Sequence, residues 1–226
     1  RTAQNLEPDN PNLHQTLARA FWLFRGQVPE GITELRRSIA LNPEGGYSHL
    51  QLSMLEALSG NFDEAETSAR HAIELQERAM SGGEGLLIVG AHARLGYVHS
   101  LRGNYDPAYA EYRRELEYLT TSDHALRERT LIELHTKLSA LQRARGDQEA
   151  ADRFADMAIE AHKRRVAGGA DDPATRYYMA ALYAGQGDVE HTREHLALPL
   201  ARLPEFTKWR IARDREFDPV RAQLNL

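Results

Sequence analysis

The chain has 226 residues, 27% of them charged, a formal net charge of -5 and no cysteine. This composition suits a folded soluble protein. It excludes a disulfide framework, a cysteine metal site, a thiol nucleophile and the global basic field that recruits nucleic acid. No apolar run, Leu86 to Val89 included, approaches the roughly 20 residues of a membrane helix, so neither nucleic acid nor membrane is an expected partner.

The opening RTAQNLEPDNP reads as the end of a helix followed by a proline stop. With Arg1 in place of Met, residues 1–9 are expected to finish a preceding helix, and the chain to be the C-terminal part of a larger protein. From residue 10 a repeat sets in. The hexamer GNFDEA at Gly60–Ala65 returns as GNYDPA at Gly103–Ala108. The same glycine recurs as Gly26, Gly60, Gly103, Gly146 and Gly187, at spacings of 34, 43, 43 and 41. A period in this range marks a solenoid. Each glycine closes one stretch with apolar residues three and four apart and precedes another. Glycine takes the left-handed position past a helix end at no steric cost, and Asn61, Asn104, Asp147 and Asp188 follow as caps. The unit is helix, tight turn, helix.

Measured from the glycine, core positions fall at fixed offsets. Leu52, Leu95, Leu138 and Met179 lie eight before it, each followed by a small residue: Ser53, Gly96, Ser139 or Ala180. Gly31, Ala65, Ala108, Ala151 and Thr192 lie five after it. Small residues on both helices permit close antiparallel packing. The first unit carries one extra residue before Gly26. Among single elements, a long helix is expected from Phe62 to about Met80, broken at Gly82-Gly83. Another is expected to be capped near Ser122, and a third to start with Asp172 as cap and Pro173 in the first turn. The units are read as about 10–44, 45–81, 84–121, 122–168 and 171–203. Residues 204–226 leave the pattern, and Phe206, Trp209, Phe217, Val220 and Leu224 are expected to cover the last unit.

The segments LGYVHSLRGNYDPA and SIALNP together resemble the tetratricopeptide repeat, partly in its longer form of 40–43 residues. The resemblance spans about five units. It implies an all-α, right-handed α-α superhelix with a C-terminal capping helix, and a non-catalytic scaffold that binds a protein or peptide partner in a concave groove. DREFDPVRAQL resembles the closing segment of many bacterial arrays. The alternatives are a regulatory domain of a kinase, a cyclase or a transcription regulator with its chemistry upstream, and a metal- or pH-responsive protein. A cytoplasmic location is expected, with a periplasmic one open because the start reads as truncated.

No catalytic constellation and no cofactor motif is found, and the chain is not expected to be an enzyme. A histidine row recurs eleven residues before the glycine at His49, His92 and His135, and twelve before it at His14, the extra residue of the first unit making the difference. Successive units lie about 10 Å apart, whereas zinc needs its nitrogens about 2 Å from one ion, so the row is read as packed rings with wet nitrogens. In EHTREH, His191 and His195 are four apart on one helix face, a weak metal candidate that is read as exposed to water. SGGEGLLIVG is a linker, and HKRR, His162 to Arg165, a basic helix end.

The first helix of each unit is expected to line the groove. The binding candidates are Arg19, Trp22, Tyr47, Leu50, Met54, Tyr97, Arg143 and Tyr177, a set rich in the aromatic, Met and Arg side chains of interface cores. The chain has three lysines, Lys137, Lys163 and Lys208, which argues against a Lys/Asn grip on a chaperone C-terminus.

Overall fold

The computed structural model describes residues 9–83, 88–121 and 123–226, and helix is the only regular structure among them. α1 (Pro11–Arg19) runs into a π-helical turn (Ala20–Phe24) and pairs with α2 (Val28–Leu41). α3 (Gly46–Leu58) pairs with α4 (Phe62–Ser81), and α5 (Ala91–Leu101) with α6 (Tyr105–Thr121). α7 (Arg127–Ala144) pairs with α8 (Gln148–Ala167), and α9 (Pro173–Gly185) with α10 (Val189–Arg202). α11 (Pro204–Ile211), a 3-10 turn (Arg215–Phe217) and α12 (Arg221–Leu224) follow. The first members of successive pairs also adjoin: α3 touches α5, α5 touches α7, and α7 touches α9. The chain is thus all-α, with packed neighbouring helix pairs compatible with a helical repeat.

The five aligned glycines are the turns. All have positive φ: 65° at Gly26, 87° at Gly60, 81° at Gly103, 82° at Gly146 and 80° at Gly187. After four of them the next N–H reaches back five residues, Asn61 to the Glu56 carbonyl, Asn104 to His99, Asp147 to Gln142 and Asp188 to Tyr183, at 2.9–3.0 Å. That is the bond pattern that ends a helix on a left-handed residue. After Gly26 the reach is six residues, from Gln27 to the Phe21 carbonyl. The extra residue seen in the sequence is absorbed there, as the π-helical turn Ala20–Phe24.

Close packing follows from the small residues. A Cβ on Gly96 would stand 2.6 Å from the ring of Tyr112, which is buried between α5 and α6. Gly96→Ala is therefore expected to cost about 1–3 kcal/mol through overpacking. The urea midpoint at constant slope reads this out, and a loss under about 0.5 kcal/mol would show that Tyr112 swings aside freely.

Of the single-helix expectations, the long helix from Phe62 and its break at Gly82-Gly83 match α4. Asp172 caps α9 by accepting from the Ala174 and Thr175 N–H groups. The fourth first-helix starts later than expected, at Arg127. Residues 123–126 are spent on the turn, where the Arg127 N–H bonds the His124 carbonyl and the Arg127 guanidinium caps the Leu119 carbonyl at the end of α6. The readings of residues 1–8 as a helix end, of Ser122 as a cap and of residues 84–87 as linker lie outside the described residues.

The C-terminal segment divides its apolar side chains between two places. Phe217, Val220 and Leu224 join the core of α9 and α10, as a cover for the last pair would. Phe206 and Trp209 instead reach the first pair, with Phe206 packed edge-on against Trp22 at 4.7 Å between ring centroids. The approach is tight, since a Cβ on Gly26 would stand 2.7 Å from the Glu205 Cβ. This crossing corrects the expectation that all five residues close the last unit. Phe206 and Trp209 lie at the start of the segment, which passes over the first-helix side before it turns back onto α9.

Candidate functional site

The first helices, the end of α10 and the C-terminal segment line a half-open cavity of about 1040 Å³. Its position follows from helical phase. On α3, α5, α7 and α9 the inner face consists of the residues ten, nine and six before the glycine, since these lie within one turn of each other. On α3 they are Leu50, Gln51 and Met54, and all three line the cavity. On α9 they include Tyr177 and Tyr178, and on α5 Arg94, which line it as well.

Six of the eight binding candidates line this cavity: Arg19, Trp22, Tyr47, Leu50, Met54 and Tyr177. The π-helical turn adds Leu23 and Phe24, the latter 64% exposed. Tyr97 and Arg143 do not line it. Tyr97 is buried beneath the C-terminal segment, and Arg143 sits in the last turn of α7, where Gln148 at 3.1 Å and Asp152 at 3.8 Å of α8 engage its guanidinium. Arg19, Arg129 and Arg202 line the cavity and form no ion pair within 4 Å among the described residues, although the same wall carries Glu133, Asp171 and Asp172 and the Arg129 charge acts on Asp172.

Beside the cavity lies a buried charged cluster. The Asp214 carboxylate accepts hydrogen bonds from Tyr97 Oη at 2.5 Å, Tyr177 Oη at 3.0 Å, Lys137 Nζ at 3.1 Å and Arg210 Nε at 3.2 Å. Lys137 also donates to Glu216 at 2.7 Å, and Arg94 to Glu133 at 2.7 Å. The two cations lie over aromatic faces: Lys137 Nζ is 4.0 Å from the Tyr97 ring centre and the Arg210 guanidinium 4.1 Å from that of Tyr177. Burial alone would raise the Asp214 carboxyl. The Lys137 and Arg210 charges outweigh it and hold the group well below the ordinary carboxylate range. Glu216 goes the other way: burial, then the neighbouring Asp214 charge, push it up to about 7. Arg210 Nη2 and Glu216 Oε2 are buried there without a hydrogen-bond partner, as is Trp22 Nε1 under the first pair.

The sequence reading passed over Lys137, Asp214 and Arg210. One signal for Lys137 was present. The row nine before the glycine reads Gln51, Arg94, Lys137 and Tyr178, polar or amphipathic residues beside a row of Leu and Met on a buried helix.

The histidine row is buried in all four members, and most of its nitrogens are paired or buried where the sequence reading had them wet. His14 Nδ1 pairs with Glu34 at 2.6 Å, His92 Nδ1 with Glu111 at 2.6 Å, and His49 Nε2 with the Pro43 carbonyl at 2.9 Å. His135 has neither nitrogen partnered, and burial pushes it down to about 4. The two histidines of EHTREH separate. His191 is exposed and paired with Asp188 at 2.6 Å, while His195 is buried against His162, 5.4 Å between ring centres. His195 therefore does not face water, because the α8 side chains pack over it, and burial with the Arg176 charge lowers it to about 4. No group of three or more His, Asp or Glu side chains placed to hold a metal ion occurs among the described residues. None of the described helices is long and apolar enough to cross a membrane. A scan against protein-family models and a search of the curated proteins each return no match for this chain.

Proposed function

We propose that the chain is a tetratricopeptide-like array, a right-handed superhelix of five helix pairs, that works as a non-catalytic scaffold and binds a partner peptide in its inner cavity. The observation that supports this most is the lining itself. Trp22, Leu50, Met54 and Tyr177 offer apolar and aromatic contact, while Arg19, Arg129 and Arg202 form no ion pair within 4 Å among the described residues. In a protein of net charge -5, five arginines at this wall (Arg19, Arg94, Arg129, Arg202 and Arg210) against three carboxylates (Glu133, Asp171 and Asp172) favour an acidic ligand. The volume of about 1040 Å³ suits several side chains of an extended or helical peptide. The ligand chemistry is therefore an acidic peptide with an aromatic or large apolar anchor, the anchor seated by Trp22 and the acids by the arginines.

Selection from a library of random twelve-residue peptides displayed on phage tests this. Enrichment of peptides pairing an aromatic residue with acids is expected, and Trp22→Ala or Arg19→Glu should weaken the selected peptides at least tenfold. No enrichment, or equal binding to both variants with unchanged circular dichroism, would overturn the reading.

A further inference from the structure

Residues 204–217 already sit where a ligand of the first helices would sit. The groups that grip Asp214 come from three successive pairs: Tyr97 on α5, Lys137 on α7 and Tyr177 on α9. They lie on the inner face of each helix, six, nine and ten residues before the respective glycine. At the other end of the segment Phe206 inserts against Trp22 of the first pair. One short segment thus touches four of the five pairs, by an aromatic anchor and, eight residues later, an acid. This is the chemistry that the cavity wall continues with Arg19, Arg129 and Arg202.

Two features separate this contact from ordinary core. It is ionic: Lys137, Arg210, Asp214 and Glu216 are mutually engaged, in a place where well-packed apolar side chains would stabilise as much or more. It is also thin. α11 has eight residues, is joined to α10 through Leu203 with no side-chain cap, and leaves Glu205 and Lys208 exposed, as are Ala212 and Arg213 just after it.

We infer that residues 204–217 are an intrachain ligand of the array, displaced when a partner peptide with an aromatic side chain and an acid eight residues after it takes their place. The inference rests on the peptide-binding reading above and names the partner's pattern. It also makes binding competitive: the apparent affinity for a partner falls by the fraction of molecules whose own segment is released.

Two measurements on the full chain test it. In hydrogen exchange of the wild type, the amides of 204–217 are expected to exchange through a partial opening, at least tenfold faster than those of α7 and α9. Exchange of all three at one common rate would make the segment part of the core and overturn the inference. In the second, a labelled synthetic peptide of residues 203–218 is titrated against wild type and Asp214→Asn. The variant, whose own segment is loosened, is expected to bind the peptide at least tenfold more tightly. The same peptide with Asn at position 214 should lose that gain. Equal binding by both chains, or by both peptides, overturns the inference. If Asp214→Asn does not fold, the exchange experiment decides alone. A rigid segment combined with Trp22-dependent phage peptides would sink only the displacement and leave the cavity reading standing.

Discussion

Asp214→Ala is expected to cost about 3–5 kcal/mol of stability, the largest single-residue loss outside the aromatic core. The carboxylate satisfies two tyrosine hydroxyls, Lys137 and Arg210 at once, and none of these groups reaches water. Its removal leaves two buried cations with only Glu216 as counter-charge to Lys137. The loss should be uneven along the chain, with residues 204–217 opening first and the outer pairing of α3 with α4 unaffected. Urea unfolding gives the total and hydrogen exchange the distribution. A loss under about 1 kcal/mol would mean that Lys137 and Arg210 swing out to solvent.

The second large effect is a pH dependence set by Glu216. Its folded-state value, about 7, lies above the ordinary carboxylate value. The folded state therefore holds the proton more tightly than the unfolded chain does. The stability this contributes is fully present below pH 4.5 and is lost as the pH rises through 7, with a limiting slope of about 1.4 kcal/mol per pH unit for one proton. Asp214 is depressed and acts in the opposite sense: its contribution is present above its unfolded value and lost as the pH falls further. The charged and titratable neighbours that enter this balance are Arg94 and Tyr97 of α5, Tyr112 of α6, Glu133 and Lys137 of α7, Tyr177 and Tyr178 of α9 and Arg210 of α11. His135 and His195, held at about 4, make stability rise with pH up to their unfolded value of 6.5, so the Glu216 contribution is read as the difference between two chains: in thermal melts from pH 5 to pH 8 the stability of wild type should fall relative to that of Glu216→Gln. Parallel profiles would show that Glu216 is ionised throughout, with Lys137 as its counter-ion.

Local signals carried the fold reading. A left-handed glycine and the cap after it are decided by a few neighbouring atoms, so Gly60, Gly103, Gly146 and Gly187 marked the turns before any tertiary contact was known. The small-residue offsets worked for the same reason, as Gly96 under Tyr112 shows. The late start of α7 at Arg127 was not legible, because the Arg127 guanidinium on the Leu119 carbonyl is a contact between two helices. The wall was half legible. Trp22, Leu50 and Met54 follow from helical phase. The Asp214 cluster does not, because its bonds span 77 residues to Lys137 and 117 to Tyr97.

The π-helical turn at Ala20–Phe24 has a mechanical corollary. One residue of an α-helix corresponds to a rotation of about 100°. Deleting a single residue from this turn would restore α-helical winding and rotate everything before it against everything after it by that angle. His14, gripped by Glu34 ahead of the turn, and Trp22, wedged by Phe206 within it, would then be unable to keep both contacts. The inserted residue works as a set-screw, fixing the angle between a core that belongs to the first pair and an aromatic that belongs to the far end of the chain.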